Sequence, residues 1–156
     1  MNEKQKKVLL DLQAQCIKRE RCKKDVWDKA LAALEGDADA AREVVDSLVE
    51  DKFVDEGRYC LAFARDKAHL SGWGPHKIMA SLRAKRVDED AIKAAILQTD
   101  DEESDNKLRG VLLNRFKIHK GEPYIKMRLI KFALQRGYDY DKVRVILEEI
   151  LEDNKD

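Results

Sequence analysis

Ten cations are spaced to bind anions. Arg58, Arg65, Lys67, Lys77, Arg83 and Lys85 lie in the middle of the chain, and Lys117, Arg128, Lys131 and Arg136 lie in its last third. Guanidinium and ammonium groups on neighbouring helical turns can hold phosphates or carboxylates. Formal net charge is zero, with 31 Lys and Arg against 31 Asp and Glu, but the charge is segregated. Residues 107–144 hold eleven cations and three acids, an excess of eight. Asp100, Asp101, Glu102, Glu103 and Asp105 precede that block, and Glu148, Glu149, Glu152, Asp153 and Asp156 follow it. A basic block bounded by acidic ones attracts a polyanion locally without a high overall pI. The same counts fit solvated helix faces, where each cation makes only a surface ion pair.

Covalent and metal chemistry find little support. His69, His76 and His119 lack the i,i+4 metal spacing and show no carboxylate partner pattern. Cys16, Cys22 and Cys60 form no C-x-x-C pair, so they read as buried or idle thiols. Gly72-Trp73-Gly74-Pro75 carries a proline and no Lys-Ser/Thr at the spacing a phosphate loop needs. The scattered acids leave a nuclease open as the one enzymatic reading. The expectation is a binding protein that is not an enzyme and needs no cofactor and no metal.

The elements that carry the cations are helices. A charged fraction of 40% with seven Gly and two Pro suits amphipathic helices, and apolar residues recur at helical spacing along most of the chain. The helices themselves recur. Trp27, Leu31, Gly36, Asp37, Ala41, Val44 and Val45 correspond to Ile78, Leu82, Val87, Asp88, Ile92, Ala95 and Ile96. Those correspond in turn to Leu129, Ala133, Tyr138, Asp139, Val143, Ile146 and Leu147, each set 51 residues beyond the last. Asp37, Asp88 and Asp139 are expected to cap the helix that follows each turn. Trp27 reads as core. A further amphipathic segment precedes each pair, giving an all-α chain of three tandem three-helix repeats over 1–54, 55–98 and 99–156. Units this small gain stability by stacking into an elongated, curved array. Thr99 with Glu102 reads as a capping box opening the third repeat, and a flexible linker over 99–106 is the other reading. No apolar run approaches the ~20 residues of a membrane span, and the first residues lack the uncharged core of a signal peptide, so a cytoplasmic location is expected.

Between the first two helices of the second repeat stands a rigid elbow. Asp55 is placed to cap the helix bearing Arg58, Tyr59, Phe63 and Arg65. Gly72 suits the left-handed close of that helix and Pro75 the first position of the next, with His76 and Lys77 in its first turn. Trp73, between two glycines, reads either as packing over the joint or as an exposed anchor for a partner.

At these residues the chain resembles the RecX regulatory proteins of bacteria. The resemblance lies in Asp55-Glu56-Gly57-Arg58-Tyr59, Arg65-Asp66-Lys67, Gly72-Trp73-Gly74-Pro75-His76-Lys77-Ile78, Leu82-Arg83-Ala84-Lys85 and Arg136-Gly137-Tyr138, and the three-repeat organisation extends it over nearly the whole chain. Where the family usually carries Gly after the Lys of the second repeat, this chain has Arg86, so a left-handed turn there must be made with a side chain present. The first repeat is poor in the family's usual arginines. The resemblance implies a modulator that binds the RecA recombinase, lodges in the groove of its filament on single-stranded DNA, and suppresses ATPase and strand exchange in homologous recombination and DNA repair. The ten cations named above are then the contacts to filament or DNA, made by a monomer with no membrane role. A stand-alone helical DNA-binding protein is the other reading. It would grip phosphates without reading sequence, since no helix displays a dense group of Asn, Gln and Arg fit for base edges.

Overall fold

Helix ends in this chain are set by short-range side-chain chemistry. The computed structural model describes residues 1–155; Asp156, counted above among the C-terminal acids, lies outside the described residues. These residues form α1 (Glu3–Lys18), α2 (Lys23–Ala33), α3 (Ala38–Glu50), α4 (Glu56–Asp66), α5 (Pro75–Ala84), α6 (Glu89–Thr99), α7 (Glu102–His119), α8 (Ile125–Gln135) and α9 (Tyr140–Asp153), with no strand among them. A π-helical turn, Lys67–Ser71, extends α4. Asp37, Asp55 and Asp88 accept from the backbone N–H groups of Ala40, Arg58 and Ala91, at 3.1, 2.9 and 3.2 Å, satisfying donors that α3, α4 and α6 leave free.

Two expected caps are corrected. Asp139 stands at the start of α9 but makes no capping bond, because its carboxylate is drawn to the imidazole of His76 instead. Thr99 does not open α7. It ends α6, where its hydroxyl donates back to the carbonyls of Ala95 and Ile96 at 3.0 and 3.2 Å. The capping box belongs to Asp101 and Ser104, each accepting from the other's backbone N–H. Residues 99–106 are thus the end of one helix and the beginning of the next.

The 51-residue period reaches the backbone. Glu35, Arg86 and Gly137 are register equivalents, and all three take left-handed φ values of 57°, 56° and 93°. In each case the N–H donates to the carbonyl three residues back, on Ala32, Arg83 and Leu134. The turn at Arg86 is therefore made with a side chain present, at a cost of about 1 kcal/mol relative to glycine.

Contacts gather the helices into two units, with α4, α5 and α6 contributing to both. The first comprises Met1–Ala62 and Leu82–Lys93. Its core is built by Val8 and Leu12 of α1, Val26 and Ala30 of α2, and Val44, Val45 and Leu48 of α3. Trp27, expected in that core, is only partly buried and packs against its edge. The second unit comprises Phe63–Ser81 and the chain from Ala94 on. Leu108, Leu112 and Phe116 of α7 meet Leu129 and Ala133 of α8 and Val143, Ile146, Leu147 and Ile150 of α9. Removing any one of these fully buried leucines to alanine costs about 2–5 kcal/mol.

Candidate functional site

The elbow after α4 is a backbone interlock. Gly72 turns left-handed at φ 69°, and the N–H of Trp73 returns to the Lys67 carbonyl at 2.9 Å. Segment 72–77 then meets the turn between α8 and α9. The N–H of Gly74 donates to the Arg136 carbonyl at 2.7 Å, and that of His76 to the Gly137 carbonyl at 3.0 Å. A Cβ on Gly74 would fall inside the backbone of Gly137 and Tyr138, and one on Gly137 inside the backbone of Lys77. Glycine is required at both because two main chains touch. Arg136 closes the joint, donating from Nε to the Gly72 carbonyl at 2.8 Å and from Nη2 to the Ser71 carbonyl at 2.6 Å, and His76 pairs with Asp139 across it.

Trp73 lies half-buried at this joint. Its ring meets the Phe63 ring edge-on at 6.2 Å between centroids, and the Lys67 and Lys77 ammonium groups stand 4.6 and 4.3 Å from its centroid. Those contacts support the packing role for Trp73, with the ring quadrupole attracting both cations.

The ten cations divide by what they touch. Arg136 and Arg58 are engaged by the protein itself. Arg58 donates to the Glu20 carboxylate at 3.0 Å and to the Lys52 carbonyl at 2.9 Å. Arg83 forms a fork on Glu89, with a shortest contact of 2.6 Å, and Arg128 pairs with Glu122 at 2.9 Å. Lys85 reaches Asp25 at 2.7 Å. Burial alone would raise the Asp25 carboxyl, but hydrogen bonds from Lys85 and Cys22 outweigh it and hold the group below its ordinary range. Arg65, Lys117 and Lys131 are exposed, with no ion pair or hydrogen bond from their side chains among the described residues. Free cations of this kind have charge to offer a partner at no cost in broken internal bonds.

The histidines correct another expectation, because each has a carboxylate partner. His69 contacts Asp101 at 3.0 Å and Glu103 at 3.4 Å, His76 contacts Asp139, and His119 contacts Glu122 at 3.0 Å. Only the last pair, three residues apart on one turn, was open to inference from spacing. The other partners lie more than thirty residues away, Asp101 at 32 residues from His69 and Asp139 at 63 from His76. Asp101 sits below the usual carboxylate range chiefly through the Ser104 backbone N–H, and Glu122 does so chiefly through His119.

Buried thiols lie in the first unit. Cys22 and Cys60 are enclosed, and Cys16 is partly so. Burial pushes the Cys60 thiol up to about 11 and raises Cys22 as well, so both are protonated at neutral pH and unsuited to nucleophilic work. No group of three or more His, Cys, Asp or Glu side chains among the described residues is arranged to hold a metal ion. None of the described helices is long and apolar enough to cross a membrane.

Known proteins share this organisation. Residues 55–96, the elbow and its flanking helices, match the family described as "RecX, second three-helix domain". A protein of Xanthomonas oryzae pv. oryzae (strain PXO99A) named "Regulatory protein RecX" is 30% identical over 139 residues, covering 88% of this chain and 83% of that protein. One of the same name from Clostridium botulinum (strain Eklund 17B / Type B) is 32% identical over 119 residues. The chain spans 55% of that relative's length. Among solved structures, the crystal structure of RecX from Lactobacillus salivarius superposes with a TM-score of 0.82, covering 96% of this chain and 98% of that one at 20% identity. That likeness shows a shared helical-repeat fold.

Proposed function

This chain belongs to the RecX family of regulatory proteins, and from that premise we propose that it binds RecA recombinase filaments on single-stranded DNA and inhibits their ATPase and strand exchange. It works by contact and carries out no reaction of its own. It acts as a monomer in the cytoplasm, within homologous recombination and DNA repair.

The observation that carries this reading is the similarity to a regulatory protein over 83% of that protein's length. Charge supports it. Arg65, Lys117 and Lys131 are exposed and uncommitted, while Lys67 and Lys77 face an aromatic ring with no acid between them. Such cations suit a polyanionic or acid-lined groove. Arg58 and Arg136, held by the chain's own carbonyls, serve the fold, and the contact set reduces to the others.

The test is DNA-dependent ATP hydrolysis by RecA on single-stranded DNA, with this protein titrated well below the RecA concentration. Inhibition at those ratios is the expected result. No inhibition, combined with tight and salt-sensitive binding to single-stranded DNA alone, would replace the reading with that of a stand-alone DNA-binding helical repeat protein, which the same free cations would serve.

A further inference from the structure

Helix α8 presents an apolar row to solvent on the side away from its core. Tyr124, just before the helix, is 76% exposed, Met127 67% and Leu134 44%. Lys131 lies with Met127 and Leu134 along one shallow depression, opposite the buried Leu129 and Ala133. Ile130, at the edge of that depression, is half-buried and also packs against the core. The row spans about 15 Å, or nearly three helical turns.

The repeat supplies an internal control. Fifty-one residues earlier, the positions of Met127, Ile130 and Leu134 are occupied by His76, Met79 and Arg83, and one repeat before that by Asp25, Asp28 and Ala32. The shared fold is built twice without an outward apolar row, so packing does not require one here. Exposed apolar residues in contiguous order mark a surface that is covered in use.

Charge identifies what covers it. Helix α8 holds no acid, while Lys126, Arg128 and Lys131 line its exposed side. Among the described residues, Arg128 alone of the three has an acidic partner, Glu122, and Lys131, exposed and without one, lines the same depression as Met127 and Leu134. A nucleic acid would use the cations and could stack one base on Tyr124, but it would gain nothing from Met127 or Leu134, which offer no ring and make up the rest of the row. A lipid surface demands a broader apolar face than one row. We propose that the outward face of α8 docks an acidic amphipathic helix of a protein partner, with apolar anchors at i, i+3 or i+4 and i+7 against Met127, the half-exposed edge of Ile130 and Leu134, and flanking Glu or Asp against Lys126 and Lys131. The proposal rests on the reading of this chain as a binder of a protein filament, and gives the chemistry of one contact in that complex.

The probe is a synthetic helical peptide of Leu at those spacings with Glu elsewhere, compared with a copy carrying Lys for Glu. Each is titrated into the full chain by fluorescence anisotropy, with amide shifts followed along α8. The acidic peptide binds and shifts α8, the basic copy does not, and the double variant Met127→Asp, Leu134→Asp loses at least tenfold in affinity while circular dichroism stays at wild type. Lys131→Glu loses severalfold. Equal binding by the double variant, equal binding of the basic peptide, binding to anionic vesicles in place of the peptide, or an α8-dependent dimer in sedimentation would each overturn the proposal. The double variant is also assayed against RecA ATP hydrolysis. Peptide binding without inhibition by the wild type rejects the filament reading and leaves the docking face standing. Inhibition that survives the double substitution, with no peptide binding, does the reverse.

Discussion

One register position shows how far a residue's neighbours decide its worth. Arg86 and Gly137 occupy equivalent left-handed sites, yet substitution should move stability in opposite directions. Arg86 is exposed, so Arg86→Gly removes the left-handed penalty and is expected to stabilise by about 0.5–1 kcal/mol. At Gly137 the main chain of Lys77 occupies the space a Cβ would take. Gly137→Ala therefore has to separate two backbones joined by hydrogen bonds at 2.7 and 3.0 Å, at a cost of roughly 2–4 kcal/mol. Denaturant titration of both variants decides the matter, and a mild Gly137→Ala would show that the interlock yields easily. The sequence made Gly137 visible as part of an Arg-Gly-aromatic turn. It did not show that Arg136 is held by carbonyls 64 and 65 residues away, because nothing local in a sequence marks a distant backbone oxygen as an acceptor.

At the scale of elements, the 51-residue period and the helix faces were legible, since burial imposes a periodicity that survives divergence. Helix starts were legible where one candidate cap stood alone, as at Asp37, Asp55 and Asp88. They were not where two competed. Thr99 and Asp101 both suit a cap by type, and the choice fell to Asp101 because the Thr99 hydroxyl, buried in the last turn of α6, is already committed to Ala95 and Ile96. The pair Asp25 and Lys85 ties α2 to the turn after α5, and it carries a pH signature. The folded Asp25 carboxyl sits below its ordinary range, so its stabilising effect is complete above about pH 4 and is lost as the pH falls through the lowered value. Lys85→Met should lower stability by about 1 kcal/mol at neutral pH. In thermal melts, the gap from wild type should close on acidification below the ordinary carboxylate range. A gap independent of pH would mean that the Lys85 stem, not its charge, is what matters.

For the whole molecule, zero net charge conceals a basic block whose effect depends on which cations are free. Reversing Lys117 and Lys131 together is expected to weaken inhibition of RecA by about tenfold and to make it less sensitive to salt. Circular dichroism and melting should stay near wild type, because neither side chain has an ion-pair or hydrogen-bond partner to lose among the described residues. Unchanged inhibition would remove both from the contact surface. The two units also differ in a way that experiment can exploit. All three cysteines belong to the first, two of them enclosed, while the second has none. After Cys16→Ser, the rate at which a thiol reagent alkylates the native protein becomes a clock for the opening of the first unit alone, with the second silent. Slowing of that clock on addition of RecA filaments would report that the proposed binding reaches the first unit, and an unchanged rate would leave the first unit outside its influence.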